Sequence, residues 1–325
     1  MHDNGEGTFS AIEGTYVAQI GNVKYDSFEA AFAAAQNGAT ITLLADCAGN
    51  GIVAPQGNFT TGVTVDFDGH TYTMDGSLVG SNGTNTQAFQ LLKGNTIVLK
   101  NGTIVADNED VQIMIQNYSN LTLDNMTLDA TQGTNSVGYV LSTYNGSTTI
   151  KDTKITAKEG GTAFDVCSGW DGYPSNAVEL TGSSEINGNI EVSYYGQEGT
   201  TAASLKLTSG TLNGSIVMAK GAGQATVTKS AGFEVDAPEG YKWECGESTC
   251  TLVAFKIGDV DRSGGVPDYA DVQAIVNIIL DTVPDNANYD MDAANVDGIV
   301  DEEGHYTITI SDVVALLKML IENNQ

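Results

Sequence analysis

Apolar and polar positions alternate with period two in short runs, and the runs recur along most of the chain. NTIVLKNGTIVA (residues 95–106) sets the pattern: Ile97 and Leu99 alternate with polar neighbours, Asn101-Gly102 bends the chain, and Ile104 resumes the alternation. The form returns as NLTLDNMTLDA (120–130), STTIKDTKITA (147–157), NAVELTGSSEING (176–188), ASLKLTSGTLNG (203–214) and, weakly, QATVTKSAGFEV (224–235). An earlier copy is VTVDFDGHTYTM (63–74). The apolar residues before the turns are Phe67, Leu99, Leu123, Ile150, Leu180, Leu207 and Val227, spaced by 32, 24, 27, 30, 27 and 20 residues. Self-similarity at such periods is the signature of a solenoid.

A third short run precedes each pair: AFQL (88–91), QIMI (112–115), GYVL (138–141), AFDV (163–166), NIEV (189–192) and SIVM (215–218). Each coil is therefore expected to hold three short strands and three bends. Alternation points one face of every strand into the coil and the other to solvent. One coil cannot bury its apolar side alone; stacked coils share a continuous core. Variable spacing favours a parallel β-helix, whose loops lengthen at a bend without disturbing the stack. An antiparallel sandwich would share the alternation and the Gly/Asn turns.

Ahead of the repeats, TYVAQIGNVKY (15–25) reads as a hairpin turning at Gly21-Asn22. DSFEAAFAAAQNG (26–38) reads as an amphipathic helix, started by Asp26 or Ser27 and ended by Gly38. The strand ATITLLAD (39–46) follows. Hairpin and helix are placed to cover the open end of the stack. This stretch of about 35 residues resembles the N-terminal repeats of secreted bacterial β-helix proteins. The resemblance implies an exported or cell-surface protein. The polar opening MHDNGEG looks like a trimmed mature start, with a leader removed.

Beyond residue 257 the pattern changes from period two to helical spacing. DVQAIVNIIL (271–280) and DVVALLKMLI (312–321) are expected helices, each behind an acidic loop. We therefore divide the chain into a β-helix domain, 1–257, closed by a hairpin over 238–254, and a small helical domain, 258–325. In the first acidic loop, Asp259, Asp261 and Ser263 stand at i, i+2 and i+4 before Gly264. That spacing turns alternate oxygens toward a hard cation, and Gly allows the sharp turn. The Val266 carbonyl and Asp271 complete the candidate set. In the second loop Asn295 and Asp297 open, Asp301 or Glu302 continues, and Asp312 closes. An acidic, solvated helical tail is the alternative.

This tandem resembles dockerin domains, EF-hand-type modules found on exported proteins of gut Bacteroidetes. The matches are GDV (258–260), DVQAIVNIIL, AANVDG (293–298) and ISDVVALL (310–317). The resemblance implies folding around calcium and docking to a cohesin-like partner on polysaccharide-active machinery. Loop one carries about one extra residue and loop two about six, and Ser263 stands where a carboxylate or amide is usual.

Charge narrows the partners. With 41 Asp and Glu against 13 Lys and Arg the net charge is -28, which excludes a general nucleic-acid surface and leaves cations or neutral ligands such as sugars. Residues 258–325 alone hold 14 acids against Arg262 and Lys318, a net of -12. No apolar run reaches transmembrane length. Of four cysteines, Cys245 and Cys250 in KWECGESTC are a candidate disulfide, while Cys47 and Cys167 are expected free and buried.

The solenoid resembles the right-handed, pectin-lyase-like β-helix in architecture, and many such proteins cut acidic polysaccharides. A lyase of that kind needs a strong cation, often Arg, at the uronate. The only Arg is Arg262, in the acidic loop, and the one internal solenoid His, His70, reads as structural, as does Trp243. The NTD, DD, GHG and RIK set of polygalacturonases is missing as well. A non-catalytic binding or adhesion role is therefore expected, with a polysaccharide-degrading enzyme as the alternative. Three consecutive coils enlarge the same bend, as STYNGS, CSGWDGYPS and SYYGQEGTTAA, after Leu141, Val166 and Val192. They bring Tyr144, Trp170, Tyr173, Tyr194 and Tyr195 together as a candidate sugar platform, with Asp171 and Asn176 for hydroxyls. The same rings could instead pack over the outside of the coil. Asp165 and Glu191 are expected to face outward on adjacent strands, about 5 Å apart, as a cation pair or a weak candidate for acid/base catalysis.

Overall fold

The computed structural model describes residues 15–81, 83–133, 135–303 and 305–322, and the backbone of two short strands, His2–Asp3 and Phe9–Ser10. The opening MHDNGEG lies mostly outside them. The chain forms two compact units, residues 1–236 with 245–251, and residues 237–244 with 252–325.

The first unit is a parallel β-solenoid. Its third run stacks as a sheet of seven parallel rungs: Ile52–Ala54, Thr84–Leu91, Ile113–Asn117, Tyr139–Thr143, Thr162–Ser168, Asn189–Tyr194 and Ile216–Met218. The paired runs stack as the other wall. They are unbroken in Thr96–Ala106 and Asn120–Asp129, and split in later coils, as in Gly146–Lys151 with Lys154–Thr156. The two coils with unbroken runs thus hold two strands where three are expected. In the unbroken runs Asn101 and Asn125 turn the chain in a left-handed conformation (φ 61° and 56°) while ladder pairing continues on both sides. Asp68 and Asp152 take the same conformation, at φ 50° and 49°, in coils where the run is split into two strands. Asn and Asp tolerate this region better than other non-glycine residues. The column is wired across rungs, Asn101 Nδ2 donating to Asp66 Oδ1 at 3.1 Å and Asn125 Nδ2 to Asn101 Oδ1 at 3.2 Å.

Leu99, Leu123, Ile150, Leu180 and Leu207 lie in one buried column. At the ends the register differs from the sequence reading. Val65, not Phe67, aligns with Leu99, and Val227 aligns with Leu205. Both are slips of two residues, which keep the same face inward and are therefore invisible to an alternation argument. Outside this wall, lysines pair with acids one rung away: Lys100–Asp66, Lys151–Asp124, Lys154–Glu185 and Lys206–Glu179, all at 3.0–3.1 Å.

The helix α1 (Phe28–Ala34) is shorter than the expected 26–38, with Ser27 as its N-cap accepting from Ala30 N–H at 3.1 Å. Phe28 lies 4.9 Å from Tyr72, 6.0 Å from Phe67 and 6.4 Å from Phe89 between ring centroids, and Phe32 lies 5.6 Å from Phe59. Hairpin strands Ala18–Ile20 and Val23–Tyr25 join the paired-run wall through Thr40–Leu43. At the other end Thr249–Thr251 pair antiparallel to Thr228–Ser230, and Cys245 is bonded to Cys250. Cys167 is free and buried; Cys47 is free but only half-buried, a correction to the sequence reading.

The second unit holds α2 (Tyr269–Ile279), α3 (Met291–Ala294) and α4 (Ile310–Glu322) around Val260, Ala274, Ile275, Ala294, Val313, Leu316 and Leu320. The two long helices begin two residues ahead of the Asp271 and Asp312 starts read from sequence. Asp268 caps α2, and Asp271 sits inside the first turn as the reciprocal partner of a capping box. Residues 237–244 belong here through charge: Lys242 Nζ lies 2.6 Å from both Asp290 and Asp292, and Arg262 lies 2.8 Å from Glu244.

Gly102 tests the packing of the bend column. A Cβ there would run into the Phe67 Cβ and sit 2.6 Å from the His70 carbonyl oxygen. Gly102→Ala is expected to lower stability by about 2 kcal/mol through overpacking, read as a fall in the urea midpoint; an unchanged midpoint would contradict this close approach.

Candidate functional site

The enlarged loops lie side by side because the rungs beneath them are in register. Val166 pairs with Val192, and the loops continue the ladder: Tyr195 N–H donates to Ser168 O at 2.9 Å, Gln197 N–H to Gly169 O at 3.0 Å, and Thr201 N–H to Pro174 O at 2.8 Å. Gly169 is required here. At φ 95° it leaves room for the Tyr195 and Gly196 amides, 2.7 and 2.5 Å from where its Cβ would be. The loop of Trp170 closes on itself through a Trp170–Tyr173 bridge.

Trp170 and Tyr195 lie 4.3 Å apart by centroid, and each is 38% exposed. Tyr173 stacks on Tyr118 at 4.6 Å, and Tyr118 meets Tyr144 at 5.8 Å. Asp171 is exposed beside them. Tyr194 is different: it is half-buried and its hydroxyl donates to the Thr200 carbonyl at 3.2 Å, so it holds its own loop. Asn176 is also different. It is buried, and its amide donates to the Thr143 carbonyl and hydroxyl and to the Cys167 carbonyl, which corrects its expected role toward sugar hydroxyls. Sequence reasoning missed Tyr118, Lys93 and Lys220. Lys93 Nζ lies 5.5 Å from the Tyr173 ring centre and Lys220 Nζ 4.9 Å from that of Tyr195. The available signal was position: all three follow the same register point of their coils, in bends too short to stand out.

Asp165 and Glu191 are register partners on neighbouring rungs, as expected, but they are not a solvent-exposed pair. Asp165 is 2% exposed. Its carboxylate accepts from the Thr143 N–H and, at 3.1 Å, from the Ser142 hydroxyl. Glu191 is half-buried, with the Tyr139 hydroxyl 3.4 Å from each oxygen. Burial pushes the Asp165 carboxyl up to about 8; the two hydrogen bonds only partly oppose it, and Glu191 adds to the rise. Desolvation likewise raises the phenols of Tyr118 and Tyr139 to about 12.

In the second unit, Asp259, Asp261 and Asp271 bring one oxygen each within 4.8 Å of one another. Asp259 accepts from Ser263 Oγ at 3.2 Å and Gly264 N–H at 3.0 Å, and Asp261 from Ser263 N–H at 2.9 Å. Val266, whose carbonyl is the candidate ligand, is exposed. The closing acid organises the backbone. Asp271 takes the Asp261 N–H at 3.1 Å and the Asp268 N–H at 2.8 Å; Asp312 takes the Asp297 N–H at 3.1 Å and the Thr309 N–H at 2.8 Å. Asp297 accepts from Ile299 N–H at 3.0 Å, as Asp261 does from Ser263. Positions 259, 261, 263 and 271 thus correspond to 295, 297, 299 and 312. Ile299 offers no side-chain oxygen where loop one has Ser263. Asp301 accepts from the Glu303 and His305 N–H groups, inside the insertion. Burial raises the Asp271 carboxyl, while the Ser311 hydroxyl and Ile299 N–H hold Asp297 low. Asn295 Oδ1 is buried and has no hydrogen-bond partner among the described residues. A buried oxygen acceptor without a partner, in a loop rich in acids, has the chemistry of a hard-cation ligand; among the described residues only Asp259, Asp261 and Asp271 bring their oxygens together, and the acids of the second loop do not form such a group.

No family model, no curated protein and no solved structure matches this chain. Among the described residues no helix is long and apolar enough to cross a membrane.

The raised Asp165 predicts a pH dependence. Between the ordinary aspartate range and about 8 the folded protein holds a proton that the unfolded chain has lost, so folding takes up a proton. The Asp165 contribution to stability is therefore largest in mild acid, falls as pH rises through that window and levels above about 8. Asp165→Asn, a neutral near-isostere, is expected to flatten the slope of the denaturation midpoint between pH 5 and 8. An unaltered slope would mean that Asp165 is ionised in the folded state.

Proposed function

We propose that the chain is an exported, non-catalytic, glycan-associated binding or adhesion protein. In this reading the solenoid presents the ring cluster to sugar, and the second unit is a dockerin-like, calcium-folded module for a cohesin-like surface partner. The observation that carries it is convergence. Trp170, Tyr173 and Tyr195 come from loops enlarged at one bend of successive coils, and two of these rings remain exposed outside the core. Aromatic faces beside an exposed carboxylate suit the apolar faces and hydroxyls of sugars. Export is supported by the Cys245–Cys250 disulfide, a bond characteristic of oxidising compartments.

Calcium is the proposed cofactor, supported by the all-oxygen donor set and the bare Asn295 oxygen. Asp259, Asp261, Ser263, the Val266 carbonyl and Asp271 would hold one ion; Asn295, Asp297 and Asp312, with Asp301 as a further candidate, would hold another. An ion that binds only the folded loops stabilises by mass action. Calorimetry on the full chain should show a transition that moves down by roughly ten degrees with chelator and returns with calcium. A scan unmoved by EDTA would remove the calcium role.

The enzyme alternative draws on one observation, a neutral carboxyl at Asp165 next to Glu191. Against it, Asp165 is almost inaccessible and both its oxygens are engaged. Reducing-sugar release that is abolished in Asp165→Asn would favour the alternative. For the binding reading, Trp170→Ala is expected to weaken retention in affinity gels containing plant or host glycans about tenfold, with melting nearly unaltered. A drop in stability without any change of retention would make Trp170 a structural lid instead.

A further inference from the structure

Loop one carries a cation of its own. Arg262 stands between Asp261 and Ser263, and it is the one arginine of the chain. Its backbone is left-handed, at φ 58°. Glycine would take that conformation without strain, whereas a long side chain rarely does. Around it Asp259, Asp261 and Asp271 bring one oxygen each within 4.8 Å of one another, three carboxylates in one small space. Arg262 makes no ion pair with any of them among the described residues. Its guanidinium lies 2.8 Å from Glu244 and 3.6 Å from Asp290 instead.

The two partners are not equivalent. Asp290 is fixed. It caps α3 by accepting from the Asp292 and Ala293 N–H groups at 3.1 and 3.2 Å, and its own N–H donates to the Val260 carbonyl at 2.8 Å. Lys242 Nζ already lies 2.6 Å from its carboxylate, so the Arg262 contact at 3.6 Å is the weaker one. Glu244 is the stronger holder. It sits on the strand Tyr241–Cys245, and its other cation, Lys242, is 3.9 Å away. A cavity of about 500 Å³ is lined by Arg262 and Asp259 together, with Asp290, Phe255 and Lys256. That space leaves room for the arginine side chain to swing from Glu244 toward Asp259.

We infer that Glu244 is a positioning residue for the ion of loop one: it latches Arg262 away from Asp259, Asp261 and Asp271, and without the latch the guanidinium becomes an internal competitor for their oxygens. The inference rests on the calcium reading and adds what sets the affinity. Guanidinium and carboxylate make strong charge-assisted hydrogen bonds. An ion entering a loop that holds the arginine must first expel it, so the observed affinity falls with the fraction of molecules left open. With the arginine on the carboxylates in nine molecules of ten, calcium binds about tenfold more weakly.

The test is calorimetric titration of calcium into the full chain and its variants, with Asp261→Asn marking which binding event belongs to loop one. Glu244→Gln is expected to weaken that event about threefold to tenfold. Arg262→Met alone should change it less than about twofold, because the arginine is already held aside. Combined with Glu244→Gln, Arg262→Met should recover nearly the whole loss, which makes the double-mutant cycle non-additive. Additive changes of opposite sign would mean that the two charges act only through space. Equal weakening in both single variants and the double variant would mean that the pair merely braces the loop. Either result, or an unchanged affinity in Glu244→Gln, would overturn the latch while leaving calcium binding intact. A wild-type chain that takes up no calcium would overturn the calcium reading itself.

Discussion

The parallel register between rungs is the constraint on which the first unit depends. Each coil is a few short strands with an apolar inner face, and none is stable alone. Once Phe89, Ile115, Leu141, Phe164, Ile190 and Ile216 align, every bend is stacked on the bend below it. The asparagine column, the cross-rung ion pairs and the shared position of the enlarged loops are all consequences of that alignment. The ring cluster therefore sits on a regular scaffold even though its own loops are irregular, the usual division between rigid framework and variable binding surface.

Much of this was legible in the chain. Alternation, Asn-Gly bends and a period of twenty to thirty residues were enough to read a stacked parallel solenoid before any contact was known. The two-residue slips at Val65 and Val227 were not legible, because period two carries no information about which of two same-facing residues aligns. The burial of Asp165 was missed for a related reason. Alternation correctly turns it away from the coil interior, but outward-facing implies solvent only where nothing lies over the sheet. Here its carboxyl is held by Ser142 and Thr143 of the neighbouring rung, and the Tyr139 hydroxyl reaches its register partner Glu191. Asn176 was misread because an asparagine can serve solvent or backbone equally well, and three acceptors from other segments, Thr143 twice and Cys167, decide the matter.

In the second unit the acidic spacing was readable and its internal equivalence was not. Loop one and loop two differ by five residues between their second and closing acids, 261 to 271 against 297 to 312, so a sequence comparison strains to align them. The hydrogen bonds align them at once. Asp271 and Asp312 each bridge the same two backbone positions of their loop at nearly equal distances. The insertion is carried outward, where a Val300–Tyr306 bridge closes it off. Length can be added there because both ends of the loop are already fixed by the closing acid.

A solenoid whose rungs touch only their neighbours behaves as a one-dimensional array and can fray from either end, rung by rung. Several contacts break that rule, among them the stacking of Tyr173 on Tyr118 across two rungs. Lys93 reaches Gly172, 79 residues onward and three rungs away, and Tyr139 reaches Glu191, 52 residues onward and two rungs away. These reaches tie the middle rungs into one cooperative block, because an opened rung must release partners beyond its neighbour. Loss of structure from the far end should then stall at the ring-bearing coils, making the surface that carries the ring cluster the last part of the solenoid to come apart.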